Sequence, residues 1–454
     1  MIPEELLKRM ERMLGEEYPA FLSALGEPSE HALRINRHKT APGLLLPLLP
    51  FAPEPLPFTD VGYRIPPGER PGAHPLHHAG AYYMQDPSAM ATVAALPFDL
   101  TGMHVLDLCA APGGKSTYLA DLIGEGGQLF SNEIVPSRAR ILLGNIERMG
   151  IGNTAVLSLD PRAVAALFDR YFDLTVVDAP CSGEGMLRKY REAAEEWSPA
   201  GVTAAAERGR LILHEAAATV REGGYLLFST CTFSEEENEA TVTEFLKTHR
   251  DFALVPVAPA VAAVTKDGIG GGGRPDEIAL TRRFYPHVFP GEGQYIALLR
   301  RMGGGVGGPT FRETMRPLSG REESAVRAPL TELMTDPPSR LLPVGETVLA
   351  VPEGMPLPPR GLLRAGIALG TRSGKLFLPH HHAASALGKR FRNRLDLALG
   401  DPRLAAYLRG EEIEADPALR GFTAVLAAGI PLGLAKCSGG RAKNHYPKGL
   451  REVR

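Results

Sequence analysis

The sequence predicts an α/β protein built around a doubly wound parallel sheet, with smaller units on either side. Three observations predict it. From Gly102 onward, apolar strand-like runs (HVLDLCA, GQLFSNE, NTAVLSLD, FDLTVVDAP and GGYLLFST) alternate with helix-patterned stretches such as KSTYLADLI and PSRARILLGNIERM, the pattern of repeated βα units. The first run passes into its helix through a glycine-rich turn, CAAPGGKS. Finally, 454 residues exceed what one hydrophobic core supports, so about two to four units are expected.

The opening MIPEELLKRMERMLGEEYPAFLSALG has apolar residues at helical spacing. It carries acidic charge and lacks a long apolar core, which argues against a signal or transit peptide. No later run reaches the roughly 18 apolar residues of a membrane span, so a cytoplasmic enzyme is expected. ALRIN, from Ala32 to Asn36, reads as a strand. The prolines crowded between Pro42 and Pro75 favour extended connections between small elements. Residues 1–98 therefore form an α+β N-terminal module and 99–301 the sheet domain. RRFYPHVFPGEGQYIALLRR reads as a hairpin closing that sheet near Arg301. Two glycine-rich stretches interrupt the pattern, a mobile loop at Gly268–Gly273 and a linker at Gly303–Gly308. Residues 309–376 then form a small mixed connector and 377–454 a β-rich domain ending in KCSGGRAKNHYPKGLR. No internal repeat is evident.

Composition is that of an ordinary globular protein, with 44% hydrophobic and 22% charged residues, and names no function. The net charge of −2 conceals a division. Residues 301–454 hold 23 Lys and Arg against 14 Asp and Glu, a net of +9, which leaves −11 on residues 1–300. A chance surface asymmetry is one explanation; a basic tail domain that meets nucleic acid explains it better. Four cysteines, Cys109, Cys181, Cys231 and Cys437, are too few for a disulfide scaffold and lack CxxC spacing.

A ligand cleft is expected at the carboxyl ends of the strands. Asp107 ends the first strand, and Gly113 and Gly114 let the backbone approach a ligand at a helix N-terminus. A P-loop is excluded because Cys109 stands where that motif needs its first glycine. Glu133, 26 residues after Asp107, suits a carboxylate that accepts both hydroxyls of a ribose. Asp160 and Asp178 close the third and fourth strands. A lone carboxylate of this kind is often only a helix N-cap, but four at successive strand ends outline one site. Two thiols follow: Asp178-Ala179-Pro180-Cys181 after strand four and Ser229-Thr230-Cys231-Thr232 after strand five. One buried cysteine is usually a small hydrophobe; two at adjacent strand ends suggest chemistry.

LDLCAAPGGKS, DAPCSGEGMLRK and STCTFSEEENE together resemble the signature motifs of the Sun and nucleolar-protein family of RNA cytosine-5 methyltransferases. The domain order and the ending GRAKNHYPKGLR resemble its bacterial RsmF branch, which modifies 16S ribosomal RNA of the small subunit. The resemblance covers residues 80–300 closely and the tail more weakly. It implies a Rossmann-like class I methyltransferase that uses S-adenosyl-L-methionine, between an N-terminal RNA-binding module and a C-terminal PUA-like domain. It further implies that Cys231 is the nucleophile, that Cys181 assists breakdown of the covalent adduct, and that Asp178 is catalytic. Cys109, Ala110, Ala111, Pro112, Gly113, Gly114, Lys115, Glu133, Arg138, Asp160 and Asp178 would line the cofactor pocket.

The chemistry fits those parts. C5 of cytosine is a weak nucleophile until a thiolate adds to C6 and a donor meets N3, which turns C5 into an enamine carbon. DNA cytosine methyltransferases attack with the Pro-Cys thiol, so the presence of both thiols favours RNA over DNA; transfer RNA is the other alternative substrate. A noncatalytic RNA-binding assembly factor is the rival of another class, against which the two aligned thiols speak. Tyr82 and Tyr83 could flank the target base, although tyrosine pairs more often pack in cores. His380, His381 and His382 point in different directions along the chain, so no metal is expected. Lys436, Arg441, Lys443, Lys448 and Arg451 around Tyr446 read as an RNA-facing surface. RNA is the expected partner, with neither a membrane nor an obligate protein partner.

Overall fold

Five strands run parallel through the middle of the chain, as the alternating pattern requires: β1 (His104–Asp107), β2 (Gln128–Asn132), β3 (Thr154–Leu157), β4 (Phe172–Asp178) and β5 (Val220–Thr230). They are seen in a computed structural model that describes residues 2–189, 191–270, 274–313, 315–373 and 376–452. Every residue of β2 and β3 is buried, as befits strands covered by helices on both faces. The covering helices include α1 (Gly114–Ile123), α2 (Pro136–Met149), α3 (Pro161–Leu167), α4 (Pro199–Thr219) and α5 (Glu239–Thr248).

The order β3-β2-β1-β4-β5 reverses direction between β1 and β4, and that switch point is where a doubly wound sheet opens a crevice. The expected hairpin closes the sheet: β6 (Arg282–Phe284) pairs antiparallel with β7 (Gln294–Arg301), which pairs antiparallel with β5. At the other edge the connector contributes β8 (Leu362–Ala365), antiparallel to β3. Asn132 ties the strand ends together: its amide donates to the Leu108 and Leu159 carbonyls at 3.1 and 2.9 Å and its oxygen accepts the Leu159 N–H at 3.0 Å.

In the N-terminal unit, the strand Ala32–Ile35 sits in a four-stranded sheet between Gly62–Arg64 and Tyr82–Met84. Between Pro42 and Pro75 no helix or strand exceeds four residues, the consequence expected of so much proline. The unit grips the sheet domain through buried cations. Arg34 donates to the Thr117 hydroxyl at 2.6 Å and lies 4.7 Å from the Tyr118 ring centroid. Lys39 donates to the carbonyls of Ala79, Arg148 and Pro431, one from each of three units. Burial holds its ammonium well below the ordinary value, so those carbonyls are what keeps it in place. Tyr82 is buried with its hydroxyl on the Pro71 carbonyl, and Tyr83 lies between Arg34 and Arg148. Tyr83 therefore packs the seam between units, whereas Tyr82 packs within the N-terminal one.

Downstream, the strand Leu376–Pro379 completes a four-stranded sheet with Leu341–Val344, Thr347–Ala350 and Ile367–Ser373. The break expected at 376/377 therefore falls at the start of a paired strand, because composition does not show where a hairpin ends. The last unit is a five-stranded sheet over residues 394–444. Of its expected RNA-facing residues, Tyr446 is instead core: it is 2% exposed and packs against His381 and Tyr407. The neighbouring histidines have three separate tasks. His380 caps the helix His381–Leu387, His381 faces Tyr446, and His382 accepts from Ala368 N–H and donates to the Ile151 carbonyl. Among the described residues no helix is long and apolar enough to cross a membrane.

Candidate active site

Three of the four strand-end carboxylates converge. Asp107 is fully buried; one oxygen accepts the Ser116 hydroxyl at 2.6 Å and the other has no hydrogen-bond partner. Burial pushes its carboxyl up to about 7. The Cys109 thiol is pushed up by burial and then by Asp107, Asp178 and Glu133 around it, so all three carboxylates face one turn. Glu133 is 3% exposed, lies 3.3 Å from Arg138 and accepts the Val135 N–H. Asp160 differs: it is exposed, and one oxygen caps α3 by accepting the Arg162 N–H at 2.9 Å. That is the ordinary role of an aspartate before a helix.

The Cys109–Lys115 turn is held from outside. Arg138 donates to the Ala111 carbonyl and Asn145 to the Pro112 carbonyl. Gly113 has φ +113°, which disfavours any residue with a Cβ. A Cβ on Gly114 would lie 3.3 Å from Gln85 Nε2 and 3.4 Å from Tyr83, so glycine there lets the N-terminal unit close over the turn.

The buried Asp107 has a consequence for stability. Its carboxyl titrates near 7 when folded and near 4 when unfolded, so between those values the folded state binds the extra proton and stability falls as pH rises. Buried histidines such as His381, lowered to about 3 by burial, act oppositely, so the comparison isolates Asp107. The Asp107→Asn variant is expected to gain stability relative to the unmutated protein by an amount that grows from pH 5 to pH 8, reaching about a few kcal/mol. Parallel denaturation curves would show it; a pH-independent difference would refute the assignment.

Asp178 is the hub of the crevice. One oxygen takes the Lys115 ammonium at 2.7 Å, and the other accepts from Ser229 at 2.7 Å and Gln294 at 3.3 Å. Burial opposes the Lys115 charge, but Asp178, by charge and hydrogen bond, and the nearby Cys231 leave it above its ordinary value. Sequence reasoning missed Ser229 and Gln294. Ser229 pairs in register with Asp178, a signal present in the aligned strand ends. Gln294 arrives on antiparallel β7 and gave none.

The two thiols meet as their strand ends predict. Cys181 and Cys231 place their sulfurs 3.3 Å apart. The Cys181 thiol is pushed well up, first by its hydrogen bond to Cys231 and then by burial, and at this distance either sulfur can be the donor. Glu237, part of the STCTFSEEENE run but given no role from the sequence, accepts the Ser182 N–H at 2.8 Å and its hydroxyl at 2.5 Å. Burial pushes its carboxyl up to about 7, against those hydrogen bonds.

The chain is similar to known proteins over most of its length. The family model described as 16S rRNA methyltransferase RsmB/F matches residues 99–300. Models for the N-terminal domain of 16S rRNA methyltransferase RsmF and for the methyltransferase RsmF PUA domain match residues 2–87 and 394–452. The chain is 31% identical to the ribosomal RNA small subunit methyltransferase F of Serratia proteamaculans (strain 568), over 95% of its own length and 92% of that protein's. The chain belongs to the 16S rRNA methyltransferase RsmB/F family. The protein of the same name from Klebsiella pneumoniae (strain 342) is 32% identical over 99% of this chain and 96% of its own. Among solved structures, a methyltransferase homolog protein from Pyrococcus horikoshii is similar with a TM-score of 0.54 and 26% identity, covering 63% of this chain and 91% of that one. NSun6 from Pyrococcus horikoshii with SFG shares the fold, with a TM-score of 0.57 and 22% identity over 66% of this chain and 99% of that one. The Rossmann-like methyltransferase core, the RsmF-type N-terminal domain and the PUA domain of the family are thus all present, and the family's methyl donor is S-adenosylmethionine.

Proposed function

We propose that the protein methylates carbon 5 of a cytosine in 16S ribosomal RNA through a covalent bond between Cys231 and C6 of the base. The observation that carries this reading is the pair of sulfurs 3.3 Å apart, beside a lysine–carboxylate pair and a carboxylate-lined turn. The turn fits the cofactor. A buried Asp107 oxygen without a partner, the Glu133 carboxylate and the close backbone approach allowed by Gly113 are donor and acceptor sites of the kind a nucleoside bearing an amino acid needs. When bound there, S-adenosylmethionine supplies an electrophilic methyl group. Arg138 and the residues from Cys109 to Lys115 would shape that pocket, with Asp160 at its exposed edge.

Cys231 adds to C6 as the thiolate, and negative charge moves onto N3 and O2 of the ring. A cation stabilises it, and Lys115, held by Asp178, is coupled electrostatically to Cys231. With both its oxygens already accepting hydrogen bonds, Asp178 acts as the anchor of that cation. C5 then carries the electron pair that takes the methyl group. The C5 proton leaves to water, the pair closes the C5–C6 double bond, and the C6–S bond breaks. Cys231 departs as a thiolate, and the Cys181 thiol, with its sulfur 3.3 Å away, is placed to donate to it. The base must leave its stack to reach the thiol, and the net positive charge after residue 300 suits a polyanionic substrate.

The test is transfer of labelled methyl to small ribosomal subunits, naked ribosomal RNA, transfer RNA and DNA, with bisulfite mapping of the product. 5-Methylcytosine confined to small-subunit RNA is expected. Product in transfer RNA or DNA alone would overturn the substrate, and no transfer by protein that binds the cofactor would favour the noncatalytic rival. At the cofactor end, Glu133→Ala is expected to weaken binding roughly 10- to 100-fold, the value of charged hydrogen bonds to two hydroxyls; unchanged affinity by calorimetry would remove Glu133 from the site.

A further inference from the structure

We infer that Glu237 is the positioning residue that sets the spacing of the two thiols, and so controls how fast the covalent RNA adduct breaks down. The inference rests on the covalent reading above. Cys181 and Cys231 sit on separate loops, 50 residues apart in sequence, and each loop needs a brace. Glu237 reaches both. Its Oε2 accepts the Ser182 N–H at 2.8 Å, and its Oε1 accepts the hydroxyls of Ser182 at 2.5 Å and Thr232 at 3.4 Å. Those two hydroxyls are themselves 2.8 Å apart. Ser182 directly follows Cys181 and Thr232 directly follows Cys231, so one carboxylate fixes the backbone beside each sulfur.

The neighbouring Asn238 braces one loop alone, accepting from the Thr230 hydroxyl and donating to the Thr232 carbonyl. Glu237 is 2% exposed, and its hydrogen bonds run to serine and threonine rather than to a cation. Burying a carboxylate on such terms is costly, and apolar packing would fill the space without that cost. What apolar packing does not supply is a fixed distance between two sulfurs on different loops. Adduct breakdown needs that distance, because the Cys181 hydrogen bond must meet the departing sulfur; addition of Cys231 to C6 does not.

Glu237→Ala, Glu237→Gln and Ser182→Ala are to be compared in the full-length protein with 16S RNA, scoring kcat, both KM values and the RNA-linked band on a denaturing gel. Expected for Glu237→Ala is a kcat reduced by about 10- to 100-fold, the usual cost of an ångström-scale misplacement, with KM values within about twofold and a several-fold stronger covalent band. Ser182→Ala, which keeps the N–H, is expected to show a weaker form of the same shift. A lower kcat with no increase in the band, or losses that track thermal stability and KM, would overturn the inference. Should Glu237→Ala not fold, Glu237→Gln and Ser182→Ala decide by the same readout. Cys231→Ala on the same gel separates the two levels: methylation without Cys231 removes the covalent reading, whereas a normal band in the Glu237 variants alongside an inert Cys231→Ala removes only the role of Glu237.

Discussion

Replacing Cys231 with alanine is expected to lower methyl transfer by about four orders of magnitude or more, the scale on which removal of a covalent nucleophile acts, and to leave no protein-linked RNA. Replacing Cys181 is expected to do something different: RNA stays covalently attached, and the adduct accumulates over a single turnover. The difference follows from the roles proposed for the two sulfurs. Contact with Cys231 and burial raise the Cys181 thiol, which suits the part of proton donor that the proposed cycle gives it. The Lys115 ammonium, held by Asp178, interacts with Cys231 across the crevice. Removing Cys231 thus removes bond formation, while removing Cys181 leaves bond formation intact and slows cleavage. Denaturing gels of each variant with labelled RNA would show this directly; an adduct in Cys231→Ala and none in Cys181→Ala would exchange the roles.

Much of this site was legible because a parallel sheet repeats its own geometry. Once five strands are read from apolar runs, everything just beyond their carboxyl ends belongs to one edge, and Asp107, Glu133, Asp178, Cys181 and Cys231 are found there without knowledge of a single contact. The same logic fails for residues that arrive by another route. Gln294 reaches Asp178 on an antiparallel strand, and Glu237, although it lies in the STCTFSEEENE run, folds back from a loop, so neither role follows from an offset to a parallel strand end. It also fails where one residue type serves two purposes. Asp160 has the position of a ligand and the hydrogen bond of a helix cap. Tyr446 has the sequence surroundings of a surface aromatic, yet it fills the core between His381 and Tyr407. Cations mark where a chain is solvated, but an aromatic just beyond the last strand, which ends at Asn444, is buried or exposed according to how the chain turns there, which spacing alone did not reveal.

Arg283→Ala is expected to cost about 3–5 kcal/mol of folding stability, the usual penalty for breaking a buried ion pair from one side. Arg283 and Glu239 have side chains 2% and 1% exposed and meet through two hydrogen bonds of 2.5 Å. Burial works against the guanidinium charge, but Glu239 holds it above its ordinary value. Alanine would leave Glu239 buried, with the Ile269 N–H as its remaining donor. It would also release the Phe233 carbonyl, which Arg283 binds at 2.8 Å. Phe233 and Glu239 bracket the segment that carries Glu237 just beyond Cys231, so the loss of stability should be accompanied by loss of methyl transfer even where the variant remains folded. Replacing Arg283 and Glu239 together with methionine and leucine separates the two effects. Stability should largely return, because no charge is left unpaired, while activity should not, because the Phe233 carbonyl still lacks its donor. Chemical denaturation and methyl transfer on the same samples would measure both. A double variant no more stable than Arg283→Ala would show that the arginine acts through its packing and not through its charge.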